Sequence, residues 1–390
     1  MSKQKLSIFI ITTGAFLSFF IFGFMDNIKG PAIPVLLKDL GFTYSQGGTI
    51  LFSQYAGFLI ATLLTGVLAG IVGRKNIIVL AMLFLGIGAV GFTAFSSLFL
   101  LTLFMLALGF GLGAIEVGAN AIIVDIHHLH KGRYLNLLAF FHGFGGMVAP
   151  IYTSALLIRY SSWRIPYKLT IYIVIAMLVY FIIARYPKNI GSNEDTKIDY
   201  KKVFKNFFNS NVILFNILIC VYVMAEIGLA GWVVEFLQKV KMMSVGISSF
   251  FLTLFFGTMT LGRLLGSFIV DRIGHLKMLL ISIIGSIICI ALGIFGPSYL
   301  AFFLPLTGLF FSIIFPTTTA AFSERNKENF MMLMALLFAF AGAGGMLGPW
   351  LIGILSDIVG IKYGFSFILA YCVVMLVSIF FIMREKLEKN

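Results

Sequence analysis

The sequence predicts an all-α membrane protein of twelve transmembrane helices, arranged as two parallel, pseudo-symmetric bundles of six. Three observations predict it. Of the 390 residues, 60% are hydrophobic and only 11% charged; the apolar residues fall in about a dozen long runs; and one decapeptide recurs at close to half the chain length. An ordinary soluble domain carries roughly 25% charged residues. Here 43 Phe against 15 acidic residues leave too little polar material to cover a water-facing surface.

The runs, in order, are residues 8–28, 46–70, 76–95, 98–124, 134–158 and 166–185, then 211–238, 245–270, 276–294, 298–322, 330–355 and 363–383. A bilayer core needs about 20 apolar residues per helix, and most of these runs meet that length with few charges. Helix is the structure they require, because in lipid every backbone polar group must find its partner within the segment. A membrane barrel would need strands of alternating pattern, and the runs do not alternate. The first run is not a cleaved leader: it lacks a small-residue cleavage pattern and continues into Asp26, Asn27 and Lys29. The second and third meet at Gly73-Arg74-Lys75. The fourth carries Glu116, the fifth FHGFGG, the seventh Glu226 and Trp232, and the eighth ends in Asp271-Arg272. Between the sixth and seventh lies the longest hydrophilic stretch, residues 186–210. It separates an N-terminal bundle, residues 1–185, from a C-terminal bundle, residues 211–390.

An even number of spans puts both termini on one side. With the termini in the cytoplasm, 19 Lys and Arg fall in the termini and inner loops, 8 fall outside, Lys29 among them, and Arg263 lies within a span. That split obeys the positive-inside rule. The expected location is therefore the inner (cytoplasmic) cell membrane, multi-pass, with both termini cytoplasmic and lipids as neighbours. The formal charge of +13 reports orientation and lipid contact, and no basic domain exists for nucleic acid. Three cysteines inside apolar runs offer neither a disulfide framework nor a metal-ligand spacing. No nucleotide-binding loop is present and no cofactor is called for. The chain is expected to work as a monomer.

FHGFGGMVAP (Phe141–Pro150) and FAGAGGMLGP (Phe340–Pro349) match at six of ten positions, at an offset of 199 that also pairs Gly109 with Gly308. Six spans per repeat give both halves the same orientation, the parallel-repeat architecture of many transporters. The glycines allow close backbone approach, and Pro150 and Pro349 favour bends. Fixed packing and moving helices explain these residues equally well.

At the uniform offset of 199, His142 faces Ala341, Glu116 faces Phe315, Asp26 faces Ala225 and Glu226 faces Asn27, so four ionisable groups occur in one half each. Glu116 is the strongest signal. An ionised carboxylate at mid-membrane costs about 2.5–3.5 kcal/mol even on low insertion scales, so it must face water, find a donor or hold a proton. Both Glu116 and His142 lie roughly 12 Å deep at 1.5 Å per residue and could meet. A helix–helix hydrogen bond for Glu116 and a packing role for His142 are the alternatives. Glu226 lies in the middle of its span and Asp26 near the outer end of the first. Trp232 offers a flat face to a ring, with Gln54, Asn120 and Asn136 supplying hydrogen bonds; an interfacial anchor is the other reading of Trp232. At the inner face, GRLLGSFIVDRIGHLK (Gly262–Lys277) places Asp271 and Arg272 beside a helix start, a charge latch that Arg263 can join. Its first-half counterpart keeps Arg74 and Lys75 but has Gly70 where an acid is expected.

The chain resembles the major facilitator superfamily over essentially its full length, in the twelve spans, the central loop and the DRIGHLK motif. Within it, GLGAIEVGAN (Gly111–Asn120), FHGFGG, YVMAEIGLAGWVVEFL (Tyr222–Leu237) and FFGTMTLGRLLGSFIVDR (Phe255–Arg272) resemble the signatures of the fucose-permease-like proton-linked sugar symporters. That resemblance implies Glu116 as the proton-linked carboxylate and Asn120 with His142 near a central cavity. The expected function is proton-coupled symport of a small neutral solute, most of all a monosaccharide, by alternating access. Proton coupling would involve Glu116, His142, Glu226 and Asp26; substrate binding Gln54, Asn120, Asn136, His142 and Trp232; and the cytoplasmic gate Arg74, Lys75, Arg263, Asp271 and Arg272. The alternative is a proton-coupled antiporter exporting amphipathic or cationic compounds.

Overall fold

The computed structural model describes residues 3–127, 131–184, 210–325 and 330–388, with the side chains of 3–4, 66–71, 131, 267–268, 271, 330–332 and 385–388 outside that description. Within the described residues everything but short turns is helical. The helices are α1 Lys3–Asn27, α2 Lys29–Leu40, α3 Tyr44–Val72, α4 Arg74–Ala94, α5 Leu98–Ile126, α6 Lys131–Tyr160 and α7 Arg164–Ile183. After the central stretch come α8 Ser210–Lys239, α9 Val245–Ile273, α10 His275–Phe295, α11 Phe303–Arg325, α12 Phe330–Ser366 and α13 Ile368–Glu388. Among the described residues, twelve helical spans are long and apolar enough to cross a membrane. The expected linker 186–210 lies outside them except for Ser210, which opens α8.

The first span departs from expectation. It does not end near residue 28 but runs on as helix, Lys5–Leu40 in all, 36 residues. Pro31 supplies the physical reason for the one break, between α1 and α2: it has no N–H to give the Asn27 carbonyl four residues back. It is tolerated as the third residue of α2 because first-turn N–H groups have no intrahelical partner. Ile28 itself stays in the helical region (φ −58°, ψ −36°), so the path barely deflects. Lys29 is consequently no loop residue; it is 2% exposed. At the other end of the chain, the eleventh and twelfth spans, Leu333–Val359 and Ile361–Arg384, meet at Gly360 alone, whose φ of 80° favours glycine.

Two units are resolved: Met1–Phe42 with Thr49–Asp195, and Thr43–Gly48 with Thr196–Asn390. The expected boundary put residues 43–48 in the N-terminal bundle; their packing groups them with the second unit instead. Tyr44 N and Ser45 N, in the first turn of α3, each donate to the Asp357 carboxylate at 2.8 Å, and the Tyr44 hydroxyl donates to Glu235 at 3.0 Å.

Within each unit the same helix pairs pack: α1 on α6 and α4 on α5 in the first, α8 on α12 and α10 on α11 in the second. Small residues set these crossings. A β-carbon on Gly145 would overlap the Phe20 carbonyl, and one on Gly344 the Cys220 carbonyl; Gly109 lies likewise against Gln54 O and Gly308 against Phe255 O. These matched contacts give the true register of the repeat. The offset is 200 between α1 and α8, 201 between α3 and α9, and 199 between α5 and α11 and between α6 and α12. Every positive-φ residue among the described ones obeys it: Gly41 pairs with Met242 and Gly73 with Gly274 at 201, and Ser161 with Gly360 at 199. One expectation is thereby corrected. Asp26 corresponds to Glu226, not to Ala225, so these two carboxylates are repeated rather than confined to one half.

Candidate functional site

Asp26 closes the last turn of α1 and Lys29 opens α2, three residues apart and therefore on one face. Their charges meet at 2.6 Å. The Lys29 ammonium also donates to Gln54 Oε1 at 3.1 Å and to the Tyr55 hydroxyl at 3.3 Å, and it sits 4.4 Å from the Tyr55 ring centre. Asp26 is held by further donors: Gln54 Nε2 reaches its Oδ1 at 3.0 Å, and Tyr55 Oη reaches its Oδ2 at 3.1 Å. Tyr167, fully buried on α7, feels the Asp26 charge as well. The cluster satisfies its polar groups internally, which is the condition under which a buried ion pair is tolerable. Gln54 and Asp26, expected in separate roles, are brought together here. Gln54 is 1% exposed with both ends of its amide engaged.

Deeper in the same unit, α5 carries Glu116 and, one turn on, Asn120. The Asn120 amide donates to the Glu116 carbonyl at 2.7 Å and to its carboxylate at 3.1 Å. Both side chains are only partly buried. His142 on α6 is also partly buried, its ring set edge-on to Phe22 with centres 4.4 Å apart. Its backbone carbonyl lies where a β-carbon on Gly23 would be, so α1 and α6 are in backbone contact at the level of this histidine. Asn136 is exposed, nearer the start of α6 than His142.

In the second unit, Glu226 and Arg263 both act electrostatically on the Tyr222 phenol, whose hydroxyl donates to Phe311 O at 2.9 Å. Arg263, expected within a span and able to join the inner-face latch, lies within the span Val245–Gly266 and donates to Met259 Sδ at 3.7 Å. Trp232, expected either to face a substrate ring or to anchor at the membrane interface, is enclosed. It is fully buried, its indole N–H is given to Pro349 O at 2.8 Å, and Tyr44 packs edge-on against it. A side chain with no exposed face and a satisfied donor supports packing.

At the expected gate, Arg74 pairs with Asp125 of α5 and donates to Ala121 O at 3.1 Å. The acid missing at Gly70 is thus supplied from the end of the fourth span. Lys75 donates to Ile182 O at 3.0 Å, closing α4 onto α7. Beside Asp125, His127 Nε2 lies 2.8 Å from Thr12 Oγ1 and its ring stacks on Tyr134. Arg272 is exposed, and the Asp271 side chain lies outside the described residues. Sequence reading missed Lys29, Tyr55 and Asp125. Lys29 had a signal, since a cation three residues after an acid in an apolar run calls for a partner; Tyr55, on another helix, had none. Asp125 had none, because its partner is 51 residues away in sequence.

Among the described residues no group of three or more His, Cys, Asp or Glu is placed to hold a metal ion. A family profile described as Major Facilitator Superfamily matches residues 15–249 and 217–390. A glucose/galactose transporter of Brucella abortus is 26% identical over 388 residues, covering 93% of this chain and 92% of the relative. Among solved structures, a bacterial homologue of the human lysosomal transporter Spinster superposes with a TM-score of 0.82 at 14% identity, covering 98% of each chain. The fucose:proton symporter of E. coli superposes with a TM-score of 0.65 at 18% identity, covering 96% of this chain and 99% of that one.

Proposed function

The chain belongs to the Major Facilitator Superfamily, and we propose that this multi-pass membrane transporter carries a monosaccharide together with a proton. The observation that carries the reading is the Glu116–Asn120 pair. A carboxylate in the middle of an apolar span accepts from the Asn120 amide and stays partly exposed, so a proton can reach it and leave it without unfolding its surroundings. The neutral, hydroxyl-rich class of solute is supported by the relative that moves glucose and galactose. Asn120 and His142 supply hydrogen-bonding groups, and the Phe22 ring lies against His142.

In this reading, protonation of Glu116 removes a charge and changes which of two conformations is favoured, while solute binding does the same through contacts made in one conformation more than the other. Their coupling is a differential affinity and is reciprocal. Glu226, equivalent to Asp26 by packing register, lies beside Tyr222, on which Arg263 also acts, and is a second candidate for linkage to protons. Arg74 with Asp125 and Lys75 with Ile182 O hold the ends of their helices together at what the basic bias makes the cytoplasmic face.

The test is uptake into proteoliposomes across hexoses and pentoses, with proton and sodium gradients imposed separately. Symport predicts that added sugar alkalinises the side it leaves, whereas an exporter exchanging its solute for protons gives the opposite sign. E116Q should retain sugar exchange and lose proton-driven accumulation. Accumulation by E116Q driven by a proton gradient at the wild-type level would overturn Glu116 as the coupling group.

A further inference from the structure

We propose that Asp26, Gln54 and Tyr55 form a monovalent-cation site whose occupant is the chain's own Lys29 ammonium, a tethered cation standing where a Na+ ion would otherwise bind. The ammonium is gathered by three oxygens of different kinds, a carboxylate at 2.6 Å, an amide carbonyl at 3.1 Å and a phenol at 3.3 Å, contributed by α1 and α3. Oxygen donors including one carboxylate are what a hard cation selects. The ammonium and the amide are enclosed, Lys29 being 2% exposed and Gln54 1%, while the Asp26 and Tyr55 side chains keep a partly open edge. With Lys29 in place the cluster is neutral and needs no ion from solution.

The repeat supplies an internal control. At the packing register of the second unit, the positions equivalent to Asp26, Lys29, Gln54 and Tyr55 hold Glu226, Leu229, Phe255 and Phe256. The carboxylate recurs, but the ammonium and both of its other oxygen partners are replaced together by apolar side chains. The helix crossings are the same in both units without the cage, so packing does not require it. Ammonium and cage occur as a set. Tyr167, on α7, is a further titratable group that feels the Asp26 charge. The consequence for transport, which rests on the coupled-transport reading above, is that solute movement needs no Na+ at this site; the cage itself stands on geometry alone.

The experiment compares purified wild type, K29A, K29M and D26N/K29A in NaCl and in choline chloride, by thermal unfolding and by binding of 22Na+. K29A empties the cage and leaves the Asp26 charge; it is expected to bind 22Na+ and to unfold several degrees higher in NaCl than in choline chloride, saturably with Na+. K29M fills the space with an apolar chain, and D26N/K29A removes the charge, so both are expected to lose that response, as is the wild type. K29A lacking both 22Na+ binding and the NaCl-dependent shift overturns the proposal. So does K29A that fails to accumulate in membranes in NaCl while D26N/K29A accumulates, for then Na+ has not compensated Asp26. Either result leaves the Glu116 reading intact, because that reading is tested by proton-driven uptake.

Discussion

The Asp26–Lys29 pair allows a quantitative test of how buried charge is carried in this fold. Breaking a buried ion pair by removing one partner costs about 3–5 kcal/mol, whereas replacing both by uncharged groups is often neutral or stabilising. The geometry ranks the single variants. In K29M, Asp26 keeps two donors, Gln54 Nε2 and Tyr55 Oη, which places the loss at the lower end, about 3 kcal/mol. In D26N the ammonium keeps only neutral acceptors, Gln54 Oε1, Tyr55 Oη and the new amide oxygen, which places the loss at the upper end, about 5 kcal/mol. The double variant D26N/K29M should unfold within about 1 kcal/mol of wild type, so the two single losses must fail to add by several kcal/mol. Reversible unfolding in mixed micelles, without added Na+, measures all four proteins. Losses below about 1 kcal/mol for each single variant that sum to the double would show two independent, solvated charges, as at an exposed pair, and would refute the closed cluster.

W232F should cost about 1 kcal/mol for the hydrogen bond to Pro349 O and leave the KM for solute unchanged; a tenfold rise in KM at unchanged stability would return Trp232 to the binding site. G145A and G344A each drive a β-carbon into a backbone carbonyl and should cost about 1–3 kcal/mol, while G86A, whose β-carbon would lie 3.8 Å from Val174, should be neutral or better; equal effects in a thermal-unfolding assay would refute the crossings. Lys241 lies between spans, and burial first, then the Lys362 charge, hold its pKa below the ordinary 10.5. The unfolded chain therefore binds more protons at this site than the folded one, and its contribution to stability rises with pH from the folded pKa toward 10.5. NMR of dimethylated lysine should show that depressed pKa, and K362A should raise it; a value unmoved by K362A would remove the charge repulsion as a cause.

The span count was legible because hydrocarbon allows one backbone solution and twelve apolar runs repeat it. Charges near span ends were legible only in part. Lys29 reads as a loop residue when counted along the chain: its spacing points to Asp26, but nothing local says that Gln54 and Tyr55 will complete the enclosure and let α2 continue to Leu40. Glu116 with Asn120 was open to the same spacing argument, since a separation of four residues on a helix fixes their contact, but equal depth pointed Glu116 toward His142, and Asn120 was expected to face solute. Arg74 with Asp125 was not, because that pair depends on how two helices cross. Trp232 shows the converse: an aromatic in a polar-spotted span suits either a pocket or a core, and only burial separates the two.

The repeat does not run at one shift, and that has a consequence for anyone recombining the halves. Spans two and eight correspond at 201, whereas the decapeptide that betrays the duplication corresponds at 199. A chimera cut at the uniform value would graft the eighth span two residues out of phase. On a helix of 3.6 residues per turn that is a rotation of about 200° and a slide of about 3 Å. Thr258, which bonds Pro305 O where Gly57 meets Leu106 O, would be turned away from its neighbour toward the opposite side. Viable hybrids will come from splicing each helix at its own shift.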